Sequence, residues 1–328
     1  MSTKLIKHSI LMVTYNQEST IERALNSVLK GEVLPYEIII ADDYSTDKTR
    51  DKLIKYQNMF SGIIKLVNNP SNIGLIKNIN KISKLATGNI VSWLAGDDEF
   101  YENTLENINK AIINNELNVE NDSFIVVSNM LKINCMTGKK SVFNNYKLQN
   151  KNIFKAKIRR GINYREIGIS LSLFRQQSPL LEDSKLGYQS DFLWGLDLIF
   201  KCKSFIFINN ICGIYWQGKG ITSKQIKANV YREMLHLNYI TSVKYDNYFD
   251  IFDQLYLMYD KAKWKFKLDP SLINFVLLII LFLINYFNFP ITIRKLDELK
   301  SIISIDSIIK VKAFLKKNIL LNFLQLIN

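Results

Sequence analysis

The sequence predicts an α/β fold: a doubly wound, mostly parallel sheet followed by a C-terminal helical extension that is both basic and apolar. Three observations carry this. Short apolar runs alternate with segments of helical periodicity through the first half of the chain, the pattern of strand–helix–strand units. One of those runs, Ile38-Ile39-Ile40, is apolar at successive positions, as a strand covered on both faces must be. Beyond Ser223 the strand signals stop, and beyond Lys261 long Ile/Leu runs lie among lysines.

The elements follow in order. Ser9–Val13 reads as a buried strand. Ser19 and Glu22 have the spacing of a capping box, and Ile21, Ala24, Leu25, Val28 and Leu29 then recur at helical spacing. Glu37–Ala41 is the second strand; Thr46–Phe60 is a helix with Leu53, Ile54 and Tyr56 inward; Ile63–Val67 is the third strand. Leu75, Ile79, Ile82 and Ala86 mark a helix that Gly88 would close at its C′ position. Ile90–Leu94 and Phe124–Ser128 are further strands. From residue 139 to 182 the pattern weakens into loops and a β-rich excursion. Asp191–Lys201 reads as a helix, and Ile206–Ile208 and Ile214–Trp216 as short strands. The expected domains are 1–223, with one half at 8–130 and a second at 131–223, then a helical region at 224–328.

Composition narrows the function. The chain has 328 residues, 48% hydrophobic and 22% charged, which excludes disorder and provides for a large core. Its net charge of +13 favours an anionic partner. Cys135, Cys202 and Cys212 are odd in number and far apart, which fits a reduced compartment. With only His8 and His236, a multi-histidine zinc site or a Ser-His-Asp triad has little to draw on. The first apolar run is too short for an export signal.

In an open α/β sheet, ligands bind outside the carboxyl ends of the strands. Here those ends read Thr14-Tyr15-Asn16-Gln17, Asp42-Asp43-Tyr44-Ser45-Thr46-Asp47 and Gly96-Asp97-Asp98-Glu99. So many carboxylates at one edge call for cations or hydrogen-bond donors to meet them.

Four stretches in this order, Val13–Asn16, Ile39–Asp47, Asn72-Ile73-Gly74 with Lys77-Asn78 and Ala86-Thr87-Gly88, and Trp93–Asp98, resemble the family 2 glycosyltransferases of GT-A fold. The resemblance is close over residues 8–130 and continues weakly to 223. It implies inverting transfer of a sugar from a nucleotide-diphosphate donor, with UDP-sugars favoured. It also assigns roles. Thr14, Tyr15 and Asn16 belong to the nucleotide site, and Asp43 accepts the N3–H of a uracil or thymine base. Lys77, where the family usually has Arg, meets a phosphate as a point charge. Asp97 and Asp98 resemble the family's DxD element, which holds the ribose and a Mg²⁺ or Mn²⁺, with Asp98 first for the metal. Ala95 stands where many members have Asp. The general base falls on Asp191 in Tyr188–Trp194, with Asp183 and Glu182 as competitors.

Each assignment has a plainer competitor. Asp42–Ser45 and Gly96–Asp98 read also as turns, Asp191 as a helix N-cap, and Lys77 as a solvated helix lysine. Trp194 and Trp216 read first as core, second as an acceptor floor; His236 reads as structural. Lysines beside Ile/Leu runs over 261–328 fit an anionic membrane surface, as a peripheral contact on the cytoplasmic face. Asn274, Asn285 and Asn288 interrupt the apolar stretch 272–289 and favour an interfacial segment over a span; the competitor is a packed helical appendage. Nucleic acid is excluded as a partner by the absence of a binding motif. The whole implies a lipid-linked glycan acceptor in O-antigen- or capsule-type biosynthesis. Two other readings remain: a sugar-nucleotide nucleotidyltransferase, which should carry a Gly-rich basic loop where this chain has Thr14–Glu18, and a non-catalytic membrane adaptor with a decayed transferase domain.

Overall fold

The computed structural model describes residues 5–149, 152–158, 166–176, 185–218 and 227–271, with Asn274, Leu277, Leu278 and Leu281. Its elements alternate as the periodicity requires: β1 (His8–Thr14), α1 (Ile21–Leu29), β2 (Glu37–Asp42), α2 (Thr49–Met59), β3 (Ile64–Asn68), α3 (Leu75–Ser83), β4 (Ile90–Trp93), β5 (Glu99–Phe100) and α4 (Thr104–Asn114). Then come β6 (Phe124–Asn134), β7 (Lys140–Phe143), α5 (Ile153–Ile158), β8 (Glu166–Ser170), α6 (Leu171–Arg175), α7 (Ser190–Lys201), β9 (Ser204–Gln217), α8 (Lys227–Lys244) and α9 (Ile251–Leu268).

The strands form one sheet in the order β3-β2-β1-β4-β8-β6-β9-β5, with β7 beside β6. β1, β2, β3 and β4 run parallel, Thr14 opposite Asp42 and Leu11 opposite Trp93, so their carboxyl ends open at one edge. β8 is spliced antiparallel between β4 and β6, and β6 then pairs in parallel with β9. Alternate residues of the apolar strands serve opposite faces. Ile10, Met12, Ile38 and Ile40 pack with Leu25 of α1, Leu53 of α2 and Ile108 of α4. Leu11, Ile39 and Val91 pack with Ile82 of α3 and Leu198 and Ile199 of α7. The sheet is therefore wound on both sides.

Local details differ from expectation for identifiable reasons. Ser19 makes no capping box: α1 starts from Thr20 without a side-chain cap, and Glu22 pairs with Lys52 Nζ at 2.6 Å. Ile54 of α2 faces solvent. Gly88 does not end α3, whose C-cap is Lys84. It lies where a Cβ would come within 2.5 Å of the Lys7 carbonyl oxygen and 2.8 Å of Ser9 Oγ, so the glycine serves close approach to β1. The two short strands expected at 206–208 and 214–216 are one strand, β9, irregular opposite Ser128–Met130.

Two buried polar groups sit beneath this sheet. Glu37 accepts from Ser9 Oγ at 2.6 Å, Lys65 Nζ at 2.7 Å and the Thr87 amide at 2.7 Å. Burial pushes its pKa up, but these hydrogen bonds outweigh that and hold it at about 2, against 4.5 ordinarily. His8 is buried, its Nε2 2.7 Å from Asn109 Oδ1, and desolvation lowers it to about 4. Both folded pKa values lie below the unfolded ones, so both groups stabilise the fold at neutral pH and lose that contribution in acid. His8 loses it between pH 6.5 and about 4, and Glu37 between pH 4.5 and about 2, each worth about 3 kcal/mol. Urea midpoints should therefore fall from pH 7 to pH 4 in the native protein and fall less in His8→Gln. Parallel pH profiles for the two proteins would refute the assignment to His8.

The chain divides into two compact units, one of residues 1–182 and 190–224 and one of 183–189 and 225–328. In the second, α8 and α9 enclose Asp260, which pairs with Lys263 at 2.8 Å and accepts from Trp264 Nε1 at 3.1 Å and Asn238 Nδ2 at 3.3 Å. Leu278 and Leu281 are buried with Tyr256, Tyr259, Ala262 and Phe266, so part of the apolar stretch at 272–289 is used in packing. Among the described residues, no helix is long and apolar enough to cross a membrane. The rest of that stretch and the basic tail beyond it lie outside the described residues.

Candidate active site

The loops after β1 and β2 are sewn together by their own polar residues. Asn16, at φ +49, donates its amide to Ser45 Oγ at 2.9 Å and accepts the Thr46 amide on Oδ1 at 2.8 Å. The Gln17 amide donates to Thr49 Oγ1 at 2.8 Å, and the Glu18 amide to Asp47 Oδ2 at 3.1 Å. Asn16 is thus a loop tie, and an asparagine tolerates the left-handed backbone this requires. Tyr44 has the same unusual backbone, at φ +63, and like Tyr15 it is exposed. Two aromatic rings at neighbouring strand ends are suited to a planar base; Tyr44 was not singled out from the sequence.

Asp42 and Asp43 divide the work. Asp42 accepts from Ser45 Oγ at 2.5 Å and shapes the loop. Asp43 is buried and accepts the Ile73 amide at 2.8 Å on one oxygen and the Gly74 amide at 2.9 Å on the other. Its charge therefore sits at the start of α3, where the helix dipole favours it, and Gly74 takes the φ of +86 that the turn needs. Asn78 completes the clamp, accepting from Asn69 Nδ2 at 2.6 Å and donating to the Gly74 carbonyl at 3.1 Å. This accounts for Asn72–Gly74 and Lys77-Asn78 as a unit. Asn69 Nδ2 also reaches Asp43 Oδ1, at 3.4 Å, so it is Oδ2 that keeps a second lone-pair direction for a ligand N–H. Lys77 is exposed in the first turn of α3.

At the end of β4, Gly96 lies against β1. A Cβ there would stand 3.1 Å from Thr14 Oγ1 and collide with Gln17 Oε1, to which Thr14 Oγ1 donates at 2.7 Å. Asp97 is half buried and Asp98 buried. The turn that carries them is held from two distant elements, a feature sequence reasoning missed. Arg23 of α1 donates Nη2 to the Asp97 carbonyl at 2.9 Å, and its Nε lies 2.7 Å from Glu99 Oε1. Its guanidinium stacks 4.2 Å above the Trp216 ring. Trp216, at the end of β9, donates its amide to Asp98 Oδ1 at 3.1 Å and its Nε1 to Glu99 Oε1 at 2.5 Å. Trp216 is therefore a site residue, while Trp194 packs edge-on against Trp93 and Phe174 in the core.

This turn offers a divalent cation two carboxylates. Among the described residues, no group of three or more His, Cys, Asp or Glu could hold a metal. Two carboxylates fit Mg²⁺ or Mn²⁺ that completes its shell with water and substrate phosphates, and fit poorly an all-protein cage. Burial pushes the thiols of Cys202 and Cys212 up to about 12 and about 11, which leaves them inert. Asp191 is exposed in the first turn of α7, inside the helix instead of at its cap. Glu182 and Asp183 lie outside the described residues.

Comparison with known proteins agrees with this geometry. The chain is 31% identical over 121 residues to the Escherichia coli UDP-Glc:alpha-D-GlcNAc-diphosphoundecaprenol beta-1,3-glucosyltransferase WfgD, covering 37% of this chain and 47% of WfgD. It is 36% identical over 98 residues to the putative teichuronic acid biosynthesis glycosyltransferase TuaG of Bacillus subtilis, covering 30% of this chain and 38% of TuaG. The matched stretch thus spans less than half the length of these relatives. The crystal structure of S. aureus TarS 1-349 superposes with a TM-score of 0.57 at 18% identity, over 84% of this chain and 79% of TarS 1-349, a likeness of fold; TarS 1-349 has also been seen in complex with UDP-GlcNAc. The pattern of glycosyl transferase family 2 matches residues 9–175, which span β1 to α6 and every loop of the strand-end site, and the chain belongs to that family.

Proposed function

We propose that the protein is an inverting, divalent-metal-dependent transferase that moves a sugar from a UDP-sugar to a lipid-linked glycan in the assembly of a bacterial surface polysaccharide. The observation that carries the reading is the single edge where β1, β2 and β4 end, with Thr14, Asp43 and Asp98 delivered by three parallel strands. UDP as carrier and a lipid diphosphate acceptor are drawn from the names of WfgD and the TarS complex. Residues 1–223 form the catalytic region in this proposal, and 224–328 a helical region whose basic tail rests on the cytoplasmic membrane surface.

The residues divide the chemistry as follows. Thr14, Tyr15 and Asn16 line the nucleotide site, and Asp43 accepts the N3–H of the base. Lys77 meets a phosphate. Asp97 and Asp98 hold Mg²⁺ or Mn²⁺, which supplies charge to stabilise the departing diphosphate. Asp191 takes the proton from the acceptor hydroxyl. A panel of UDP-, GDP-, CMP- and dTDP-sugars, scored by thermal shift and donor hydrolysis with and without Mn²⁺, tests this. The expected result is a Mn²⁺-dependent stabilisation by UDP-sugars, of about 3 kcal/mol at a hundredfold excess over Kd. Equal response to every nucleotide, or none to any, would refute the donor assignment.

A further inference from the structure

The chain's positive charge is not evenly spread. From Ser123 to Arg165 it contains ten Lys and Arg and no Asp or Glu. The middle of that stretch is the β6–β7 hairpin, Ile133 opposite Lys140, with a tip at 135–139. The tip is an ordered turn: Asn134 Oδ1 accepts the Met136 amide at 2.9 Å and the Thr137 amide at 3.0 Å, and the Gly138 amide donates to the Asn134 carbonyl at 2.8 Å. On it Met136 is 84% exposed, and Val142 and Tyr146 stand exposed nearby. Lys139, Lys140 and Lys147 are exposed among them, and Lys132 lies 5.7 Å over the Phe143 ring, its stem along apolar surface.

The hairpin also has a place relative to the site. Ile133 and Asn134 pair with Trp216 and Gln217, and the Cys135 amide donates to the Gln217 carbonyl at 2.9 Å. The strand that leads into the tip therefore runs one strand away, about 5 Å, from Trp216, whose amide holds Asp98.

We infer that the β6–β7 hairpin docks on an anionic phospholipid bilayer and so sets the Asp97–Asp98 edge close to the membrane surface. The argument is charge complementarity joined to apolar display. Exposed lysines in a stretch that holds no acidic residue favour phosphate, and a methionine held out on an ordered turn gains only where it can leave water. A soluble polyanion would use the lysines but not Met136, Val142 or Tyr146. The docking itself rests on these residues alone; its purpose, reaching a lipid-linked acceptor, rests on the function proposed above.

The test uses the full chain and vesicles of phosphatidylcholine with or without phosphatidylglycerol. Wild type should sediment with the anionic vesicles and weakly with phosphatidylcholine alone. Each near-surface lysine multiplies affinity by about five, so Lys139→Gln, Lys140→Gln and Lys147→Gln together should weaken binding roughly 100-fold. The corresponding Arg triple should bind as wild type, and Met136→Asp should weaken binding on its own. Donor hydrolysis in vesicle-free solution should be unchanged in all of them. Unchanged vesicle binding by the Gln triple, or no binding by wild type, would overturn the inference. Loss of vesicle binding in a protein that never hydrolyses any donor would sustain the docking surface and sink the transferase reading instead.

Discussion

Asp98→Asn is expected to lower turnover at least about 100-fold without unfolding the protein. Asp98 is buried, and its Oδ1 accepts the Trp216 amide at 3.1 Å. An asparagine oxygen can keep that bond, so the turn and its ties to β9 survive and the thermal midpoint should move little. What it cannot keep is the negative charge opposite a divalent cation. Mn²⁺ titration in the presence of UDP supplies a readout apart from turnover, and the variant should bind the ion more weakly by a similar factor. Arg23→Gln is an informative companion. It removes the guanidinium from the Asp97 carbonyl, from Glu99 and from the Trp216 ring, but leaves both aspartates in the chain. It should weaken Mn²⁺ binding less than Asp98→Asn does, because it loosens the turn without removing a ligand. Full turnover of Asp98→Asn, or wild-type turnover untouched by EDTA, would remove the metal from Asp98.

The parallel half of the fold was legible because its signals are local. Three consecutive isoleucines at 38–40 fill both faces of β2, and the spacing of Ile21, Leu25 and Val28 sets the buried side of α1. The strand ends were legible for the same reason: their polar residues follow directly on apolar runs. What failed was any inference that needed a partner from far along the chain. Glu22 has the spacing of a capping box but is taken by Lys52 in α2. Gly88 has the look of a helix terminator, yet its neighbours are Lys7 and Ser9. Glu37 reads as the polar start of a strand, while in the fold it collects Ser9, Lys65 and Thr87 and explains the Ala86-Thr87-Gly88 motif. The clasp on the Asp97–Asp98 turn joins Glu99 to a tryptophan 117 residues later, and no periodicity announces such a pair. The hairpin's charge, by contrast, is legible as a plain count, ten Lys and Arg against no Asp or Glu over residues 123–165.

The second large effect expected is that of Asp191→Asn. A general base acts on the acceptor hydroxyl as the sugar transfers, and it contributes nothing to holding the donor. Its loss should lower kcat by roughly 10²–10⁴ with donor affinity little changed. The structure sharpens the alternative. Asp191 is inside α7, in its first turn, so its structural role there is the favourable meeting of a carboxylate with the helix dipole. Asparagine weakens that, at a cost of about 0.3–1 kcal/mol, while Leu196, Leu198 and Ile199 keep α7 seated in the core. A purely structural Asp191 therefore predicts a slightly lowered thermal midpoint and nearly normal turnover. A catalytic one predicts the same midpoint and a collapse in kcat. Midpoint, donor affinity and kcat measured on one preparation separate the two. Near wild-type kcat would move the base to Asp183 or Glu182, where Asp183→Asn and Glu182→Gln would then show the loss.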